Sequence, residues 1–161
     1  MGWKNCIWKW NIAPKIKCFW WLVIHNAILT WDNLSKRGIY GSSRCVLCSA
    51  DSEDINHLFV FCRFTKHIWS CLADYYNFAW AWDDLPICEN FSNWLRLQHQ
   101  GLHFPILDCW ILWINRNKII FDQHILSAST IIFQITQLYK LYPDKKHLKK
   151  RQHKIHMQPD T

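Results

Sequence analysis

CVLCSADSEDINHLFVFC, residues 45–62, holds three cysteines and one histidine within eighteen positions. The Cys45-x2-Cys48 spacing puts two sulfurs on one tight turn, where both can approach a single ion at about 2.3 Å, the zinc–thiolate distance. His57-x4-Cys62 supplies a second pair from the end of a helix and the turn after it. The pattern C-x2-C-x8-H-x4-C is a complete set of four soft or borderline donors, with no carboxylate needed. Four protein donors leave no position for water, whereas a catalytic zinc keeps one, so the expectation is one structural Zn²⁺ that performs no chemistry. Segment 42–54 has little core of its own, and metal binding is expected to supply its folding energy. Asp51, Glu53 and Asp54 read as charges around the site, not as donors. His67 and Cys71, at i, i+4 on an expected helix, form a rival pair; spacing alone leaves tetrads that use them open.

The rest of the chain can bury a core around such a site. Of 161 residues, 50% are hydrophobic and twelve are tryptophan, the opposite of the bias that keeps chains disordered. Only four Gly and five Pro exclude collagen-like and linker-rich classes and favour helices. The reading is one mostly α domain over 1–142, with a zinc-stabilised loop–helix element, followed by a basic, solvated tail over 143–161.

The net charge of +7 is unevenly placed. Residues 140–161 carry seven Lys/Arg and two Asp, a net of +5, which leaves +2 for residues 1–139. Lys145, Lys146, Lys149, Lys150, Arg151 and Lys154 lead that run, which can bind phosphate backbones by counterion release. A merely solvated terminus accounts for any one basic run equally well. The longest apolar run, CFWWLVI, stops at His25, well short of the roughly 20 residues a membrane helix needs. With no export signal evident, the chain reads as intracellular, nuclear or cytoplasmic, where a tight Cys/His cluster favours metal over disulfides. The scattered Cys6, Cys18, Cys71, Cys88 and Cys109 are expected to be buried free thiols.

Local signals place the helices. Trp3–Trp10 reads as a short helix. Pro14 suits the first position of the next, where Ile16, Phe19, Trp20, Val23 and Ile24 repeat at helical spacing. Thr30 is the expected N-cap of WDNLSKR, with Asp32 in its first turn, Lys36 and Arg37 in its last, and Gly38 at its left-handed stop. Asp51 or Ser52 is expected to cap a helix starting at Glu53, with Ile55, Leu58 and Phe59 inward. FTKHIWSCLADYY follows Cys62 as a helix with Phe64, Ile68, Cys71 and Leu72 on one side. NFAWAWDDLP reads as loop and NFSNWLRLQ as a short helix. From Ile106 to Phe121 a long pattern spaces Leu107, Trp110, Ile111 and Ile114 for burial. Ser127 or Ser129 caps a last helix ending before Pro143. No strand is expected.

The ordered series IWKWNIAPKIKCFWW, NAILTWDNLSKRGI, CVLCSADSEDINHLFVFC, HIW and WILWINRNKIIF resembles the zinc-binding domain that follows the reverse transcriptase in plant LINE-type (non-LTR) retrotransposons. The likeness spans roughly residues 3–121. It implies that the metal motif falls on Cys45, Cys48, His57 and Cys62, and so chooses among the tetrads. Leu22 and Leu29 depart from it, standing where Arg and Pro are common. The resemblance implies an accessory module of a retroelement polyprotein, not an enzyme, that contacts RNA or single-stranded DNA. No polymerase palm or acidic ribonuclease H set is visible in the sequence, and Trp82-Asp83-Asp84 lacks the strand hairpin of paired polymerase aspartates.

Two nucleic-acid surfaces are candidates: the basic tail, and a mix of cations and aromatics. The mix comprises Lys4, Lys9, Lys15 and Lys17 beside Trp8 and Trp10, or Lys36, Arg37 and Arg44 near the metal. Aromatic faces stack on unpaired bases while cations hold phosphates. Tryptophans at helical spacing are more often core, and a polar contact between helices is the expectation for Arg116-Asn117. The alternative readings are a scaffolding module that packs against the polymerase domain, and a truncated remnant without activity of its own.

Overall fold

Pro14 opens the helix around which the fold is built. In the computed structural model, which describes residues 2–77, 82, 84–96, 101, 103–125 and 127–143, α1 (Pro14–Ile24) carries this proline in its first turn. Its missing N–H would find no partner there in any residue type. Ile16, Phe19, Trp20, Val23 and Ile24 are all buried, as their spacing predicts. A 3-10 helix, Gly2–Lys9, precedes it and packs against it.

Five further α-helices follow among the described residues: α2 (Trp31–Lys36), α3 (Arg63–Tyr76), α4 (Ile87–Arg96), α5 (Phe104–Asp122) and α6 (Ala128–Leu141). There is no strand among them, only an isolated antiparallel bridge between Arg44 and Ser52. The architecture is mostly α, as expected. The long α5 lies between α1 and α6, and α6 also packs on α3. From α4, Phe91 meets Trp20 at 4.7 Å, edge to face. Burying a side chain such as Phe91 stabilises by about 1.5–3 kcal/mol over leaving it in water. Leu107 and Ile111 are buried in α5, while Trp110 and Ile114 are half-covered.

Outside the metal hairpin the structure departs from the sequence at three points, two helix starts and the burial of the cysteines. Arg37 closes α2 and Gly38 stands beyond it at φ 78°, where a side chain would be strained. Ser127, not Ser129, caps α6, accepting from the Thr130 N–H. The short helix expected over 90–98 begins earlier, at Ile87, because the Asn56 side chain accepts the Ile87 N–H at 2.9 Å. Second, Thr30 stands at the N-cap position of α2 with extended backbone, as expected, but its hydroxyl donates to Asp32 and accepts no helix N–H. Third, of the five scattered cysteines only Cys109 is buried; Cys18 is exposed and Cys6, Cys71 and Cys88 are half-covered. The tail cations Lys145, Lys146, Lys149, Lys150, Arg151 and Lys154 lie outside the described residues, as does half of NFAWAWDDLP. Asp84 pairs with Lys66 at 2.7 Å, consistent with surface loop chemistry.

Asp108 of α5 is buried in the core. Tyr139 of α6 donates to its Oδ1, and among the described residues Oδ2 has no partner and no cation faces it. Burial pushes this carboxyl well above the usual carboxylate range, against the Tyr139 hydrogen bond. The fold therefore favours the protonated acid. That preference is fully realised below the unfolded-state pKa near ~3.9 and is lost as pH rises toward the folded value, at up to about 1.4 kcal/mol per pH unit. Asp108→Asn is expected to remove that slope. Urea unfolding of both proteins between pH 5 and about 8 checks it: the variant should gain on the parent as pH rises, and parallel curves would refute the account.

Candidate metal centre

The loop that carries the first two cysteines is pinned at its base before any ion is considered. Cys45 N–H donates to the Asp51 carbonyl and Glu53 N–H to the Ser43 carbonyl, both at 2.8 Å, on either side of the Arg44–Ser52 bridge. Inside this hairpin the Ser49 N–H returns to the Cys45 carbonyl, with Ser49 left-handed at φ 57°. The N–H groups of Leu47 and Cys48 turn toward the Cys45 sulfur. Arg63 of α3 reaches back to the Cys48 carbonyl at 2.9 Å.

The second pair comes from a helix that departs from its sequence reading. It begins at Ile55, not Glu53, and its cap is Asp54, whose carboxylate accepts the His57 N–H at 2.8 Å. Neither Asp51 nor Ser52 caps it, because Ser52 is in the bridge and the Glu53 N–H is already given to Ser43. From His57 to Phe61 the helix widens into a π turn, closed by the Cys62 N–H on the His57 carbonyl at 2.7 Å. Cys62 is then the residue that precedes α3, and the N–H groups of Phe64 and Thr65 point at its sulfur.

Cys45, Cys48, His57 and Cys62 converge, with donor atoms all within 4.8 Å of one another and all four residues buried. Cys45 Sγ and Cys62 Sγ are 3.9 Å apart, and Cys48 Sγ lies 3.3 Å from His57 Nε2. A tetrahedral zinc with ~2.3 Å sulfur bonds has edges of about 3.8 Å, so this cradle fits one ion. Hydrogen bonding from Cys45, and then from the start of α3, holds Cys62 down at about 5 against burial. Cys45 is pushed the opposite way, first by its contact with Cys62 and then by burial. Two adjacent thiolates repel, and a cation between them is what lets both ionise. His67 and Cys71 stand 3.7 Å apart on α3, away from this cluster. The tetrad chosen at the outset is the group of four that the fold assembles.

Glu53 is the feature that spacing did not reveal. It is buried, and its carboxylate accepts from Arg116 of α5 through Nε at 3.1 Å and Nη2 at 2.5 Å. It also accepts the Trp31 N–H at 3.1 Å, while the Glu53 carbonyl takes the Asp32 N–H at 3.3 Å, so Glu53 satisfies the first two N–H groups of α2. One carboxylate thus ties the metal hairpin to the start of α2 and to α5. The Arg116 guanidinium further donates to Asn117 and lies 4.9 Å from the Trp113 ring centre. Of the cations expected to meet nucleic acid, Arg37 at the end of α2 and Arg44 in the bridge of the hairpin are both exposed.

Fold and site together define a helical module built on one closed Cys3His zinc centre. Residues 1–69 match the family described as zinc-binding in reverse transcriptase. That match contains all four donors and ends within α3, so WILWINRNKIIF lies beyond it. A relative in Arabidopsis thaliana, named "Putative ribonuclease H protein At1g65750", is 31% identical over 65 residues, 40% of this chain. The matched stretch is 10% of that relative's own length. No solved structure matches the chain. No helix among the described residues is long and apolar enough to cross a membrane.

Proposed function

We propose that the chain is a non-catalytic, zinc-stabilised module that binds RNA or single-stranded DNA within an intracellular retroelement protein, beside a reverse transcriptase domain. The observation that carries this reading is charge placement. Residues 1–31 hold four lysines and no acidic residue, on a segment that also contributes six tryptophans. Exposed Arg37 and Arg44 add cations beside the metal hairpin. Four protein donors would complete a tetrahedral sphere, which supports reading the ion as structural and the surfaces around it as the seat of binding.

Fluorescence anisotropy of a labelled single strand across a salt series tests it. Binding is expected to weaken with salt, the logarithmic slope being about −0.7 per phosphate contact. Arg37→Glu with Arg44→Glu should lower both affinity and slope. No binding at low salt would refute the reading. Exposed Phe121, Ile125 and Phe133, from the end of α5 to α6, favour a second reading in which this face packs on a neighbouring domain. Phe121→Ser with Phe133→Ser would then improve solubility and leave nucleic-acid binding intact; lost binding would return these residues to the first reading.

A further inference from the structure

Between α1 and α5 runs an apolar groove of about 400 Å³. Phe19, Trp110 and Trp113 form its floor, and exposed Lys15, Leu22 and Leu29 its edges. The volume falls within the range of about 300–1,000 Å³ usual for clefts that hold small molecules. No acidic side chain lines it among the described residues.

The two tryptophans are not equivalent. Trp113 already carries the Arg116 guanidinium at 4.9 Å and Phe19 at 6.3 Å, nearly parallel, which fixes it as a wall. Trp110 meets Phe19 edge to face at 5.2 Å, and the ammonium of Lys15 is 5.9 Å from its centre. A flexible, exposed lysine is easily displaced from a ring by a base, and it then stands where the attached phosphate must pass. Resting on the nucleic-acid reading above, we infer that this groove seats an unpaired base of a single strand, stacked against Trp110 with its phosphate on Lys15. Aromatic platforms beside cations serve single strands because every base has a π-face. Duplex bases are stacked internally and cannot enter a cleft of this kind. An apolar peptide would suit the floor, but an edge whose charge is solely cationic, on an acid-free segment, complements a polyanion.

The test uses the zinc-loaded full chain with one fluorescein-labelled mixed-sequence oligonucleotide, as a single strand and as a duplex. Leu22→Glu and Lys15→Glu alter exposed residues, so both should fold, which circular dichroism and zinc content verify. Trp110→Leu tests the platform itself. Each is expected to weaken single-strand binding about tenfold or more, the scale of one lost base stack, and to reduce the preference for single strand over duplex. If the single strand binds at low salt and the Leu22→Glu and Lys15→Glu proteins bind as the parent does, the groove assignment is overturned while the nucleic-acid reading stands. Equal affinity for duplex and single strand overturns it too. If nothing binds at low salt, both fall together.

Discussion

Cys62→Ser should cost the protein its zinc and, with it, the fold of the hairpin and the helix that starts beyond it. Zinc binding contributes about 10–16 kcal/mol of apparent free energy to small structural sites at neutral pH, comparable to or larger than the whole stability of a typical domain. Cys62 is the donor whose loss should be felt most. Its sulfur faces both the Cys45 sulfur and the N–H groups that open α3, so one atom serves both the ion and the helix start. The expected result is a fall in bound zinc from about one ion per chain to substoichiometric levels, with a loss of helical circular dichroism that chelation reproduces in the parent. A variant that keeps its fold and shows altered hydrolytic activity would instead point to a catalytic ion. Retention of zinc and fold together would dismiss the closed site.

Removing one partner of the Glu53–Arg116 pair should destabilise the domain by about 3–5 kcal/mol, because the other charge is left buried and uncompensated. Both side chains are almost fully inaccessible, so solvent screening offers little relief. Glu53→Gln keeps the shape and an acceptor for the Trp31 N–H but loses the charge-assisted contacts. Arg116→Lys should not rescue, since an ammonium cannot reproduce two parallel donors. Replacing both by Met should restore part of the loss, because no charge is then stranded. Urea denaturation of the two single variants and the double closes the cycle, with zinc affinity measured alongside. Since Glu53 stands in the metal hairpin itself and Arg116 on α5, variants of Glu53 should bind zinc more weakly than those of Arg116. Additive effects in the cycle would show that the pair is not coupled.

The metal tetrad was legible because its donors sit at short, chemically restrictive spacings, and family likeness removed the rival that His67 and Cys71 posed. Helices α1, α2, α3, α5 and α6 were legible from apolar periodicity and end signals such as Pro14, Gly38 and Ser127. Glu53 was not. Its partner is 63 positions away, and a glutamate before an apolar helix looks like any first-turn acid. Its commitment to Arg116 and Trp31 also explains the displaced helix start, since a residue so anchored cannot take up the first helical turn. Thr30 makes no cap bond for a related reason: the Glu53 carbonyl already takes the Asp32 N–H, and the Thr30 hydroxyl is given to the Asp32 carboxylate. Arg37 and Arg44 were readable as exposed cations, but the Trp110 groove needed α1 and α5 to be brought side by side.

The widened turn from His57 to Phe61 has a consequence for the rest of the molecule. In a regular α-helix each residue advances the azimuth by about 100°, so donors five apart would diverge by roughly 140°. The π turn removes most of that divergence and delivers Cys62 to the ion on the same side as His57. Because α3 starts directly after Cys62, the turn also fixes the rotational phase of α3 against α6. Deleting Val60 would bring the donors to the i, i+4 spacing of an ordinary helix, and the ion could still be held. Were the same five-residue step wound as ordinary α-helix, though, Cys62 and the start of α3 would be turned by roughly 90° from where the π turn leaves them, carrying Ile68 and Leu72 off their seats. The surplus residue between histidine and cysteine is thus an angular setting, through which a metal site of four side chains dictates how a helix of fourteen residues faces its neighbours.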